Sequence, residues 1–379
     1  MEFRAGRGAA WWRRVALPAF WFGAALLAKA SAIALAPLCL LPLVAAAGRR
    51  DWRAAARDAG AVLALGFTAA LLYCGSDWRA EPSFVAWAQA RPTDALLAEP
   101  LRWLADHLRI FSNTGEAIVR QLRHNWRGHG AYLLGISSPR ALWFYFPVLL
   151  TIKLSEPLLA ALPVAAALRW RSLRTWPLAV AAVLLLFSLT FRIQLGIRLV
   201  LPLVVLLAIG AGAALALAAT AAPRWRARLA AAFAALALAV NVATALALWP
   251  DALVFVNRFW GGPERGAALV SDSNYDWGQG IPVLRRWAAA HGDPPIAVWY
   301  FGTDPRAAAP PLRLLPLHVM PLANADEVRA AVRGQLLAVG ATLRFGSGIN
   351  SDGYRHALAV LAEREPTAQV GTFLLYDFR

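Results

Sequence analysis

Hydrophobic residues along this chain arrive in long blocks instead of alternating with polar ones. Seven mostly apolar runs occupy roughly residues 15–28, 31–47, 58–75, 142–168, 176–192, 197–220 and 229–249, the fourth interrupted near Lys153. Runs of about 17 to 25 such residues cross a bilayer as helices, because a helix satisfies its own backbone hydrogen bonds where there is no water. The pattern predicts a multi-pass α-helical membrane bundle over 1–249, with about seven transmembrane helices. Two regions depart from it. In the polar loop 76–141, Leu97, Leu101, Leu104, Leu108 and Phe111 recur at helical spacing with Arg102, Asp106 and Arg109 between them, which predicts an amphipathic helix at the membrane surface. A second short helix is expected around Ile118 to Leu122. After Trp249, β-rich runs at Ala267–Val270, Ile296–Phe301, Leu336–Ala341 and Phe373–Tyr376 alternate with helical patterns at Ile281–His291, Ala325–Arg333 and Tyr354–Glu363. That alternation predicts a C-terminal α/β domain over 250–379 with a mostly parallel sheet.

Composition agrees: with 59% hydrophobic and 16% charged residues among 379, neither a disordered chain nor a simple soluble domain fits. The net charge of +16 invites a nucleic-acid partner, so its location matters. Of the 38 basic residues only Lys29 and Lys153 are lysines. Fourteen arginines against three acids lie in four short stretches, 1–14, 48–58, 169–174 and 223–228, each abutting an apolar run. Cytoplasmic placement of all four satisfies the bias of basic residues toward that side. The turn 29–31, the loop 76–141, the turn 192–197 and the whole tail then fall on the outer face of the cytoplasmic membrane. The charge therefore reads as orientation, and no nucleic-acid partner is expected. A cleaved signal peptide is the other reading of the first run, but the apolar region continues past Lys29 without a polar mature start. Cys39 and Cys74 lie in membrane runs, where a thiol behaves as a small apolar group, which argues against a disulfide or metal framework.

Asp272, Asn274 and Asp276 have the alternating oxygen spacing of a calcium loop, but Trp277 and Val283 stand where that loop needs Gly and Glu. No metal or cofactor is expected. In open α/β sheets ligands sit at the carboxyl ends of strands, where the loops here carry Asp272, Ser273, Asn274 and Asp276, then Gly302, Thr303 and Asp304. Lys29 and Lys153 fall near the outer ends of apolar runs, and Arg198 begins one on the same side. Cations at that depth either meet an anion, such as a lipid phosphate, or snorkel or pair internally, as Lys153 would with Glu156.

Three runs in the tail carry a resemblance: Phe255-Val-Asn257-Arg-Phe-Trp-Gly261-Gly262-Pro263, Asp272-Ser-Asn-Tyr-Asp-Trp-Gly-Gln279, and Trp299-Tyr-Phe-Gly-Thr-Asp-Pro305. They resemble the C-terminal region of bacterial GT-C class membrane glycosyltransferases similar to dolichyl-phosphate-mannose-protein mannosyltransferases. Upstream, Gly23 to Ser31, Tyr132 to Gly135, Trp143 to Pro147 with Lys153, and Gly196 to Pro202 agree with that family. The departures are Ser155 and Glu156 between Lys153 and Pro157, and Gly280 where an acidic residue is common.

The resemblance implies transfer of a sugar from a polyprenyl-phosphate carrier, which is substrate and not cofactor, to a glycan or protein acceptor at the outer face of the membrane. It implies Lys29, Lys153 and Arg198 as cations for the carrier phosphate, and Asp272, Asn274, Asp276 and Gln279 on the acceptor side. By its residues alone that stretch reads rather as a capped, hydrogen-bonded turn between strand and helix. The family's catalytic aspartate belongs to the first outer loop, to take the acceptor's proton. Here that turn, Lys29 to Ser31, has no acid, so the chain is expected to lack the family's N-terminal part. Asp77, Glu81, Asp94, Asp106 and Glu116 are the outer acids available instead. The alternatives are a non-enzymatic, membrane-anchored protein whose tail binds a polysaccharide or a partner, and, with less support, a transporter.

Overall fold

The computed structural model describes residues 10–45, 48–95, 97–109, 112–220, 223–346 and 351–379. Of the patterns above, residues 1–9 of the first basic stretch, 46–47 of the second apolar run and Phe111 lie outside them. The fold is mostly helical. In chain order come a π-helical turn Trp12–Ala16, α1 (Leu17–Ala28), α2 (Ala32–Ala45), α3 (Gly48–Cys74), α4 (Pro82–Gln89), α5 (Ala98–His107) and α6 (Ser112–Arg127). A short hairpin, β1 (Ala131–Leu133) and β2 (Ile136–Ser138), precedes α7 (Tyr145–Lys153), α8 (Glu156–Arg169), α9 (Trp176–Ser188), α10 (Leu201–Thr220) and α11 (Arg224–Leu248). The tail holds α12 (Gly266–Leu269), α13 (Ile281–Ala290), β3 (Ile296–Trp299), β4 (Leu312–Leu314), α14 (Ala325–Val332), β5 (Leu336–Gly340), α15 (Ala341–Phe345), α16 (Asp352–Ala362), β6 (Ala368–Val370) and β7 (Phe373–Asp377).

Each of the seven apolar runs contains a helix among its described residues. Among the described residues three helices are long and apolar enough to cross a membrane, Trp52–Cys74, Leu201–Thr220 and Arg224–Leu248; a fourth span is available if α7 and the segment Glu156–Leu173, bent by 101° at their junction, count as one. The chain forms two compact units, one of residues 1–127 and 174–187, the other of 128–173 and 188–379.

In the first unit α1 crosses α3 where two glycines meet. A Cβ on Gly66 would come within 2.6 Å of the Ala19 carbonyl and of the Phe22 ring, and one on Gly23 within 3.0 Å of the Gly66 carbonyl. Small residues that let backbones approach are how helices associate in lipid, where apolar burial supplies little drive. Val15, Ala19, Phe22 and Val62 form the small core beside this crossing. The loop 76–109 is more helical than expected: α4 precedes the expected amphipathic α5, and Arg102 ties the two by donating to the Ala88 and Arg91 carbonyls at 3.4 and 2.6 Å. Glu81 is the buried N-cap of α4; it accepts from the Ser83 N–H and hydroxyl at 3.0 and 2.8 Å and from the Phe84 N–H.

In the second unit α8, α10 and α11 pack together, joined by the tail. Its sheet runs β4-β3-β5-β7-β6, with β4, β3 and β5 parallel and β7 and β6 antiparallel. The expected mostly parallel sheet is thus a mixed one, because Gly371 at φ +58° turns β6 directly into β7 as a hairpin. Alternate strand residues face opposite layers. Trp299, Leu337, Val339, Leu374 and Tyr376 pack on Val328 and Val332 of α14 and Ala357 and Val360 of α16. Ile296, Val298, Leu336, Ala338, Phe373 and Leu375 pack on Ile281, Leu284 and Ala288 of α13. A sheet covered on both faces reads as continuous apolar runs. The expected strand at Ala267–Val270 is the helical turn α12, with only Val270 bridging to Leu133 of the unforeseen hairpin.

Candidate functional site

The bend between α7 and α8 is where the tail packs on the apolar helices. Ending α7 frees backbone carbonyls that must find donors in an apolar setting. Asn257 supplies them: its side-chain amide donates to the Thr151 and Leu154 carbonyls at 2.6 and 2.9 Å, and its backbone N–H to Ile152 at 3.0 Å. Glu156, in the first turn of α8, accepts from the Arg258 backbone N–H at 2.6 Å. The Lys153 ammonium donates to three carbonyls, those of Leu253 at 2.9 Å, Phe255 at 2.5 Å and Asn274 at 2.6 Å. Its three donors are thereby committed.

The Asp272–Gln279 loop completes the junction. Asn274 is fully buried; its amide donates to the Tyr145 hydroxyl at 2.8 Å while its carbonyl oxygen accepts from the Ile197 N–H at 2.9 Å. Ser273 donates its hydroxyl to the Leu195 carbonyl. Asp276, 1% exposed, plugs the carboxyl ends of β3 and β5: its carboxylate accepts from the Thr342 and Gly278 N–H groups, both at 3.1 Å. Burial pushes this carboxyl above the usual carboxylate range, and the two N–H donors oppose that. Gln279 donates to the Tyr275 carbonyl at 2.9 Å and accepts from the Trp277 N–H at 2.7 Å. The place where a ligand often sits in such sheets is filled by the chain's own loop.

What this junction leaves open is a groove of about 460 Å³. Phe233, Ala237, Val240 and Thr244, one face of α11, form its floor, with Ala160 of α8 opposite, and Glu156 and Arg258 at its tail end. Nearby in sequence to the pinned loop is an aromatic shelf. Trp277 and Phe301, 42% and 39% exposed, lie with ring centroids 5.2 Å apart, and the Arg198 guanidinium stands 5.0 Å over Trp277. The shelf exists because Gly278 and Gly302 let the two loops touch: a Cβ on Gly278, at φ +86°, would lie 2.5 Å from the Phe301 carbonyl.

Of the cations picked from the sequence, Lys153 sits in the junction, Arg198 is exposed on the shelf in the same unit, and Lys29 is an exposed residue capping α1 in the other unit. Asp272, Asn274, Asp276 and Gln279 come together in one loop whose polar groups face the chain itself. Asn257, Tyr145 and Arg258 were missed as a set, although Asn257 and Arg258 fall within one of the tail runs that drew notice. Among the described residues no group of three or more His, Cys, Asp or Glu is arranged to hold a metal. No family model, no curated protein and no solved structure matches the chain, which leaves the chemistry of these residues as the guide to function.

Proposed function

We propose that the chain is a membrane glycosyltransferase, or the C-terminal part of one, that transfers a sugar from a polyprenyl-phosphate carrier to a glycan or protein acceptor at the outer face of the cytoplasmic membrane. In this reading the seven apolar helices form a GT-C-like bundle, and 250–379 is its extracytoplasmic domain. The observation that carries it is the groove between α8 and α11. It runs along a helix only 6% buried over its apolar window, so its occupant comes from the lipid. At its tail end stands the exposed Arg258, a guanidinium suited to a phosphate. An apolar chain with an anionic head fits both ends. Arg198 is a further cation for the carrier, and Lys153 joins it by exchanging one carbonyl for a phosphate oxygen.

The test uses the purified full chain and undecaprenyl phosphate, with binding read by native mass spectrometry and transfer read from sugar-loaded carrier. Ala237→Trp and Val240→Trp fill the groove and are expected to weaken carrier binding at least tenfold; Arg258→Gln is expected to do so by a similar factor. Binding that is absent from the wild type, or unchanged in all three variants, removes the reading. The non-enzymatic alternative is favoured by the junction itself, since a loop whose Asn274, Asp276 and Gln279 side chains all bond to the chain behaves as an anchor. It is the outcome if the carrier binds and no sugar is ever transferred.

A further inference from the structure

Pro263, which lines the groove, also lines a second depression of about 520 Å³ with a more polar lining. Its polar wall consists of Asp251, just beyond α11, Glu264, Tyr275, Gln369 and Thr372. Val254, Val283 and Pro263 supply apolar surface between them.

The polar groups differ in how far they are committed. The Tyr275 hydroxyl donates to the Pro263 carbonyl at 3.0 Å and accepts from the Gln369 amide at 2.9 Å, so both side chains are fixed and the Gln369 carbonyl oxygen is left over. Among the described residues neither Asp251 nor Glu264 has a side-chain hydrogen bond or an ion pair. Thr372 is 2% exposed, yet its hydroxyl closes no hydrogen bond of ordinary geometry. It does stand near enough to Asp276 to favour that carboxylate's charge, which leaves its oxygen lone pairs uncommitted. A buried hydroxyl oxygen with free lone pairs can still accept from a ligand group or a water.

Two unpaired carboxylates repel an anion, so a phosphate belongs at Arg258 and not here. Carboxylate, carboxamide and hydroxyl oxygens in one hollow are acceptors awaiting donors. A neutral ligand with several hydroxyls and apolar C–H faces supplies them. A divalent cation suits this hollow less well, because it offers only two carboxylates.

We infer that this hollow is the sugar subsite of the carrier, taking the glycosyl group of a polyprenyl-phosphate sugar whose chain lies in the adjoining groove. The inference rests on the carrier reading above and adds the site at which the sugar is recognised.

The experiment measures binding of bare undecaprenyl phosphate and of the same lipid loaded with glucose or with arabinose to the full chain in nanodiscs. The wild type is expected to bind one loaded form about tenfold tighter than the bare lipid. Asp251→Asn with Glu264→Gln, which keeps shape and removes charge, is expected to erase that gain while leaving bare-lipid affinity and melting temperature unchanged. Equal affinity of the wild type for all three lipids overturns the sugar subsite alone, as does a gain that survives the double variant. A gain that requires Mg²⁺ and is the same with bare lipid assigns a cation site and also overturns it. Failure of the bare lipid to bind strikes the groove, and the sugar subsite falls with it.

Discussion

An ammonium group at the end of a membrane helix escapes isolation either by reaching water or by collecting oxygen partners. Lys153 takes the second course, with three carbonyls from the tail. That Lys153 needs partners was legible in the sequence, because a lysine in an apolar run demands an explanation. Its partners were not, because they are backbone atoms of residues 100 to 121 positions away that carry no side-chain signal. Replacing Lys153 by Met leaves three carbonyls without their donor and is expected to cost roughly 2–5 kcal/mol. Thermal unfolding of the detergent-solubilised protein checks this, with Lys153→Arg as the charge-preserving control. An unchanged melting temperature together with weakened carrier binding would return Lys153 to the phosphate. The Asp272–Gln279 loop illustrates the same limit: its spacing of oxygens was plain in the sequence, whereas the inward direction of those oxygens follows only from the strand ends they plug.

At the level of elements, long apolar runs became helices because their composition admits nothing else in lipid, and three tail strands and three helices fell where period and β-branching placed them. Short runs did not decode so well. Ala267 to Leu269 is too brief to distinguish strand from helix by pattern, and it becomes helical with Gly266 packed against Tyr275, where a Cβ would come within 2.3 Å of the ring. The hairpin at 131–138 had a readable turn: Leu134 at φ +53° and Gly135 at φ +81° form the two-residue type that matches strand twist, but a leucine in the left-handed region hides it. Helix pairing leaves a sharper mark. Because α1 and α3 touch at Gly23 and Gly66, Gly66→Val must push the helices apart, whereas a valine at Gly60, whose Cβ meets nothing within 4 Å, is accommodated. The expected result is a loss of several degrees in melting temperature and of monodispersity on gel filtration for Gly66→Val alone.

For the whole molecule, the decisive quantity is the number of crossings, and the arginine clusters and the helix lengths bear on it differently. The stretches 169–174 and 223–228 both belong on the cytoplasmic side by their charge, which requires the chain between them to cross twice. Between them lie α9, of 13 residues, and α10, of 20. At about 1.5 Å per residue α10 spans a hydrocarbon layer of roughly 30 Å, while α9 reaches only about 20 Å. Local thinning of the bilayer and the uncoiled apolar residues after Ser188 would have to supply the rest. If α9 does not cross, the two basic stretches face opposite sides and the map from charge fails at that point. Paired alkaline phosphatase and green fluorescent protein fusions after Arg174, after Arg224 and after Arg379 separate these cases. With α9 crossing, the first two positions fluoresce without phosphatase activity, and the third, one further span on, shows phosphatase activity without fluorescence. Opposite signals at Arg174 and Arg224 would remove α9 from the count. A fluorescent Arg379 fusion would place the sugar hollow in the cytoplasm, where a carrier-linked sugar presented at the outer face cannot reach it.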